Sequence, residues 1–184
     1  MLRNAFVVLA LMAGPVGATG LDIVVEGEAN GTIHVDLLEE VAPGHVAQIA
    51  ALAEAGAYDG VVFHRVIDGF MAQTGDVQFG RVGEGFDMRR AGMGGSDRGD
   101  LKAEFSDVPF ERGVVGMARS QDPDSANSQF FIMFEPASHL NGQYTVVGRV
   151  TEGMDVVDAI KRGAGGNGAV VGEPDRMAKV TVTE

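Results

Sequence analysis

The chain has 184 residues, 45% hydrophobic and 22% charged, which suits one domain with a core of its own and not a disordered segment. Lys and Arg number 14 against 26 Asp and Glu, a net charge of −12. That balance argues against a nucleic-acid binder and against adhesion to an anionic membrane surface. Cys is absent, which excludes disulfides, thiolate nucleophiles and Cys-ligated metals.

Residues 1–18, MLRNAFVVLALMAGPVGA, read as a secretory signal peptide. Arg3 supplies the positive start, Ala5–Ala13 the apolar run, and Val16-Gly17-Ala18 the small residues of a cleavage site. The run is much shorter than the ~20 residues that span a bilayer. Its removal takes away Arg3 and no acidic residue, so the mature chain from Thr19 is more acidic still. An exported chain without Cys suits an oxidising compartment, and the short signal fits a bacterial periplasm. One domain is expected over residues 19–184. It should be free of the membrane once the signal is cleaved, and a monomer, since no segment suggests an obligate interface.

Glycine, at 27 residues, is about twice its usual ~7% share, so many tight turns are expected. Leu21–Glu26 and Thr32–Leu38 read as strands around Asn30-Gly31, the strongest two-residue hairpin signal. Pro43–Ala55 reads as a helix, with Pro43 in its first turn, Val46, Ile49, Ala50 and Ala53 on one face, and Gly56 closing it. Further strands are expected over Val61–Val66, Phe70–Thr74, Val114–Ala118, Gln129–Phe134, Tyr144–Val150 and Ala178–Thr183, with a second helix at about Met154–Arg162. Residues 77–112 show little periodicity and much Gly, as an ordered loop region would. Eight strands and two helices without β-α-β alternation argue against a doubly wound sheet. They predict a mainly β fold: a closed eight-stranded antiparallel barrel with two flanking helices.

Several motifs fail on context. Gly163-Ala-Gly165-Gly-Asn-Gly168 fits G-x-G-x-x-G but follows a helix instead of a strand, and Pro174 stands soon after, so nucleotide binding has no support. Gly94-Gly95-Ser96 starts like a nucleophile elbow but has Arg98 where the closing Gly belongs. The four His, at 34, 45, 64 and 139, show no metal-ligand spacing, and no carboxylate pair is singled out. No metal and no cofactor are expected.

What remains is FHRVIDGFMAQTGD over Phe63–Asp76 and SANSQFFI over Ser125–Ile132. Alternation turns His64 and Arg65 to opposite faces. With His64 inside as a hydrogen-bonded core residue, Arg65 lies outside. Phe70, Met71 and Gln73 follow, two apolar residues beside a cation and an amide, a plausible binding floor. In the second stretch Phe130 and Ile132 share one face, and Gln129 and Phe131 the other. If the first is the core, the second exposes an aromatic, which is unusual unless it binds something.

These two stretches, with GVVGMARS (113–120) and HLNGQYTVVG (139–148), resemble the cyclophilin family of peptidyl-prolyl cis-trans isomerases. The resemblance is ordered and spaced over essentially Leu21–Glu184. It implies rotation about X-Pro bonds in proline-containing polypeptides, here exported and still folding, with no cofactor. It makes Arg65 the catalytic arginine and places Phe70, Met71, Phe131 and Leu140 on the walls of a proline pocket. Gln73 and Gln129 then orient the substrate backbone, Ala118 lies beside the preceding side chain, and the main chain of Arg119 pairs with substrate. Two positions depart from many eukaryotic members: His139 stands in place of Trp, and Tyr144 in place of His. The loss of Trp implies weak inhibition by cyclosporin-type macrocycles. The alternative on the same fold is a non-catalytic proline-peptide-binding or chaperone module, which would be expected to have lost the arginine or the pocket.

Overall fold

Alternating side chains start the sheet. In the computed structural model, which describes residues 19–184, strand β1 (Gly20–Glu26) turns Leu21, Ile23 and Val25 inward, and β2 (Gly31–Leu37) does the same with Ile33, Val35 and Leu37. The signal peptide expected at residues 1–18 lies outside the described residues. The β1–β2 ladder ends at Val25 opposite Gly31. The tight Asn30-Gly31 turn does not form, because Asn30 does not take a positive φ. The chain reverses from Gly27 instead, at φ 148°, and the Asn30 side-chain amide donates to the Gly27 carbonyl at 2.8 Å.

Helix α1 (Pro43–Glu54) packs Val46, Ile49, Leu52 and Ala53 against the sheet. Helix α2 (Met154–Ala159) is shorter than expected. It buries Val157, and Ile160 then leaves helical geometry while staying buried. No helix among the described residues is long and apolar enough to cross a membrane.

The segment expected as one strand over Val61–Val66 is two: β3 (Val61–Val62) and β4 (Arg65–Ile67). Between them the Phe63 amide donates to Asp175 and the His64 amide to Gln73, so the chain changes ladder partners within two residues. The sheet continues through β5 (Met71–Thr74), β6 (Val114–Met117), β7 (Phe130–Met133), β8 (Val146–Glu152) and β9 (Arg176–Thr183). Phe70, Ala118, Gln129 and Tyr144, expected inside strands, lie just beyond strand ends. The order is β3-β9-β1-β2-β8-β6-β7-β5-β4, all antiparallel. The mainly β class stands, with two α-helices among the described residues, but the closed eight-stranded barrel is corrected to an open, curled sheet of nine strands among those residues. The edges β3 and β4 are joined by the chain at Phe63-His64 and not by a ladder.

Two apolar clusters divide the sheet's faces. Val66, Ala72, Val115, Phe130 and Ile132 point into the larger one, with both helices. Met71, Phe110, Val114, Phe131, Met133 and Leu140 form a second cluster on the other face. The stretch after Asp76 runs as ordered turns, with only isolated bridges such as Leu101 to Ala126. Its tether is Asp76, fully buried. One carboxylate oxygen accepts the amides of Gln78 and Phe79 at 3.1 and 2.9 Å, and the other those of Gly92 and Gly94 at 2.7 and 3.0 Å.

Candidate active site

Strand register assembles the site. Arg65 on β4 stands opposite Gln73 on β5, Gln73 opposite Phe131 on β7, and Phe131 opposite Gly116 on β6. Cross-strand partners share a face. The register therefore lays a cation, an amide, an aromatic ring and a gap in one row across four strands. Val66, Ala72 and Ile132, next along their strands, point into the main core. One outward-facing row is thereby tied to one inward-facing row.

Beside this row lies a cleft of about 340 Å³. Phe70, Met71, Phe131 and Leu140 give it apolar walls, Arg65, Gln73 and Arg119 line it with polar groups, and Ala118, His139 and Tyr144 complete the rim. Ten of the eleven residues singled out in the sequence therefore meet at one place. The eleventh, Gln129, lines an adjoining depression of about 420 Å³ together with Gln73, Ala118 and Arg119. The two depressions share those three residues and form one groove.

The polar side is fixed by directed hydrogen bonds. Arg65 Nη1 donates to Gln73 Oε1 at 3.2 Å and lies 3.9 Å from Met71 Sδ, while its Nε donates to the main-chain carbonyl of Asn167 at 2.9 Å. Gln73 Nε2 donates to Gln129 Oε1 at 3.0 Å, and Gln129 Nε2 donates to the carbonyls of Gly92 and Gly94 at 3.0 and 2.7 Å. Arg119 is pinned over the Tyr144 ring, 4.4 Å from its centroid, by bonds to the carbonyls of Gln143 and Ser120.

The apolar side is a stack. The Phe131 ring lies nearly parallel to Phe110 at 5.8 Å and edge-on to Tyr144 at 5.9 Å. His139 stacks on Phe70 at 5.8 Å. Phe131 is only 5% exposed, so the exposed aromatic expected from alternation is instead a covered floor with one edge toward the cleft. Three contributors escaped the sequence reading. Gly116 leaves room for the stack, since a Cβ there would sit 2.6 Å from both Phe110 and Phe131. Phe110 backs the floor. Asp76 holds the Gly92–Gly94 turn that orients Gln129. None stands in a motif that marks it, although a lone Asp after an apolar strand in FMAQTGD was visible.

His64 differs from expectation. It is buried as foreseen, but neither ring nitrogen finds a hydrogen-bond partner among the described residues. Gly92 packs against the ring so closely that a Cβ there would lie 2.6 Å from Cδ2. Removal from water pushes the imidazole down to about 4, with the Asp76 charge opposing.

Residues 21–182 match the family described as Cyclophilin type peptidyl-prolyl cis-trans isomerase/CLD. The chain belongs to this family. A probable peptidyl-prolyl cis-trans isomerase of Brucella suis is 52% identical over 98% of this chain and 96% of its own length. Peptidyl-prolyl cis-trans isomerase B of Bacillus subtilis is 37% identical over 74% of this chain and 87% of its own length. Among solved structures, the cyclophilin AquaCyp293 of Hirschia baltica matches with a TM-score of 0.70 at 26% identity, covering 88% of this chain and 73% of that one. A Cryptosporidium parvum cyclophilin, solved in the presence of the dipeptide Ala-Pro, shares the fold with a TM-score of 0.74 at 24% identity, over 90% and 99% of the two chains. As a cyclophilin-type enzyme the chain is a peptidyl-prolyl cis-trans isomerase, acting on proline-containing peptides.

Proposed function

We propose that Arg65 is the catalytic group of this isomerase, that the Phe70–Met71–Phe131–Leu140 cleft holds the proline ring, and that its substrates are exported polypeptides still folding. Rotation about an X-Pro bond meets a barrier of ~18–20 kcal/mol from amide resonance. No covalent bond breaks, so the reaction requires neither a nucleophile nor a proton relay. In the twisted transition state the imide nitrogen loses conjugation and gains a lone pair able to accept a hydrogen bond, which the planar amide nitrogen does poorly. A donor aimed at that nitrogen stabilises the transition state selectively, and only such selective interactions raise the rate. The guanidinium is permanently charged and rigid. Apolar walls beside it keep water away and strengthen its effect.

The observation that carries the reading is the Arg65 guanidinium, held by Gln73 at the side of an apolar cleft and, among the described residues, bonded to no carboxylate. If it supplies ~4 kcal/mol selectively, its removal costs about a thousandfold in rate. A protease-coupled assay on an X-Pro peptide should find Arg65→Ala that much slower, with peptide affinity largely kept. Equal turnover in variant and wild type would remove the mechanism.

The same reading places the enzyme in the bacterial periplasm as a monomer, after cleavage behind Ala18. The charged start, apolar run and small residues of 1–18 support export. Fractionation of cells with N-terminal sequencing tests it. A cytoplasmic full-length chain would end this part of the proposal and leave the chemistry untouched.

A further inference from the structure

The glycine run Gly163–Gly168, which lacks the strand-to-helix context of a nucleotide loop, lies beside the strand that carries Arg65. After α2 the chain folds back on itself: the Ala164 amide donates to the Ala169 carbonyl at 2.9 Å, forming a small hairpin over 163–169. This hairpin lies against β4. The Val66 amide donates to the Gly168 carbonyl at 2.7 Å, and the Gly163 amide to the Val66 carbonyl at 2.8 Å. Two of its glycines are there because nothing larger fits. A Cβ on Gly163 would lie 1.9 Å from the Gly168 carbonyl oxygen, and one on Gly168 would lie 2.3 Å from Ile67 Cγ1. Gly168 also takes a φ of 70°, where L side chains are strained. Between these clamped points the Asn167 carbonyl accepts from Arg65 Nε at 2.9 Å.

We propose that the Gly163–Ala169 hairpin is a positioning element for the isomerase reaction, its Asn167 carbonyl fixing the plane of the Arg65 guanidinium. The inference rests on the catalytic reading of Arg65. A guanidinium carries five N–H donors in a planar fork. Nε is held by Asn167 and Nη1 by Gln73, while neither hydrogen of Nη2 has a protein acceptor among the described residues. One anchor would leave the group free to swing about its bonds. Two anchors, on different nitrogens and from opposite neighbours of β4, set both its plane and its direction. Nη2 is then the nitrogen left to meet the substrate. Gln73 holds the group through its side chain, with Met71 Sδ as a weaker side-chain contact of the same nitrogen. The hairpin supplies a main-chain acceptor whose place depends on glycine packing and not on a rotamer. Asn167 acts here through its backbone, so the identity of its side chain is secondary to the glycines flanking it.

Two measurements test this. The first is the Arg65 Nε–H signal in solution NMR of the full protein. Slowed exchange with water and a through-hydrogen-bond coupling to the Asn167 carbonyl carbon are expected. Exchange as fast as in free arginine would overturn the proposal, whether or not the enzyme turns over peptide. The second is Gly168→Ala, which pushes the hairpin off Ile67. A misplacement of this size should lower kcat on the order of tenfold to a hundredfold, leave KM for the X-Pro peptide within about twofold, and abolish the Nε signature. Combined with Arg65→Lys, which keeps the charge but lacks Nε–H, it should add little further loss. An equal loss of kcat from Gly168→Ala in both backgrounds, or a loss confined to KM, would show a merely structural role. Should Gly168→Ala fail to fold, the wild-type Nε–H exchange still decides. Should the wild type turn over no peptide, the catalytic reading fails, while the Nε–H result still stands on its own.

Discussion

Gln129 presents its amide oxygen to Gln73 Nε2 at 3.0 Å, and it can do so in only one orientation. Its own NH2 group is held by the carbonyls of Gly92 and Gly94, so Oε1 must face Gln73. Gln73 must then turn its oxygen to Arg65. The sense of each amide is thus set from the loop inward, ending at the guanidinium.

Replacing Gln129 by Glu puts acceptors where the two glycine carbonyls need donors. Leaving such groups unmatched costs roughly 1–3 kcal/mol, so the chain of bonds should rearrange. The expected result is a fall in kcat/KM of roughly tenfold, larger than for Gln129→Asn, which keeps the donor but shortens its reach. Peptide-assay rates for the two variants check the order. Full activity in Gln129→Glu would mean that Arg65 is oriented without this relay.

Gly116 carries the second expectation. Gly116→Ala places a methyl 2.6 Å from the Phe110 and Phe131 rings, and both already lie stacked. Overpacking of this kind costs about 1–3 kcal/mol. The urea midpoint should fall accordingly, and KM should rise as Phe131 is driven into the cleft. Phe110→Leu in the same chain should recover part of both effects by freeing space. A variant with wild-type KM and midpoint would show that the stack yields in some other direction.

Much of this was legible in the sequence, for a local reason. Period-two alternation separates Arg65 from Val66 and Phe131 from Ile132 correctly, because each strand has one face toward the main core and one toward the cleft. What could not be read is non-local. The break at Phe63-His64 follows from β3 joining the distant β9, Val61 opposite Met177, while β4 joins its sequence neighbour β5. The Gly92–Gly94 turn is placed by Asp76, sixteen and eighteen residues away. The hairpin signal Asn30-Gly31 was overridden because Gly27 offered the positive φ earlier and the Asn30 side chain bonded back to it. His64 was foreseen inside, but the lack of a partner for its nitrogens depends on the Gly92 backbone that covers the ring.

His139 sets a third expectation, which rests on the family's use of Trp at this position to contact cyclosporin-type macrocycles. Here the smaller imidazole lies stacked on Phe70 at the cleft rim. Cyclosporin should inhibit weakly, and His139→Trp should strengthen inhibition while leaving the X-Pro peptide rate close to that of the wild type. Nanomolar inhibition of the unaltered enzyme would contradict the expectation.

The buried histidine makes the last prediction, on stability against pH. Burial lowers the His64 imidazole from 6.5 to about 4, so between these values the unfolded chain binds the proton and the folded one does not. Stability therefore rises with pH across this window, and is lost as pH falls through it. Below about 4 both states carry the proton and the loss is complete. The depression corresponds to about 3 kcal/mol. The lowered carboxylates, such as Glu104 with an ordinary value of 4.5, contribute their own losses at the acid end, so the range from 6.5 down to 4.5 reads the histidine most directly. Urea unfolding at steps across that range should show a falling midpoint in the wild type and a flatter profile in His64→Leu. A profile with the same slope in both proteins would show that the buried imidazole takes no part in acid destabilisation.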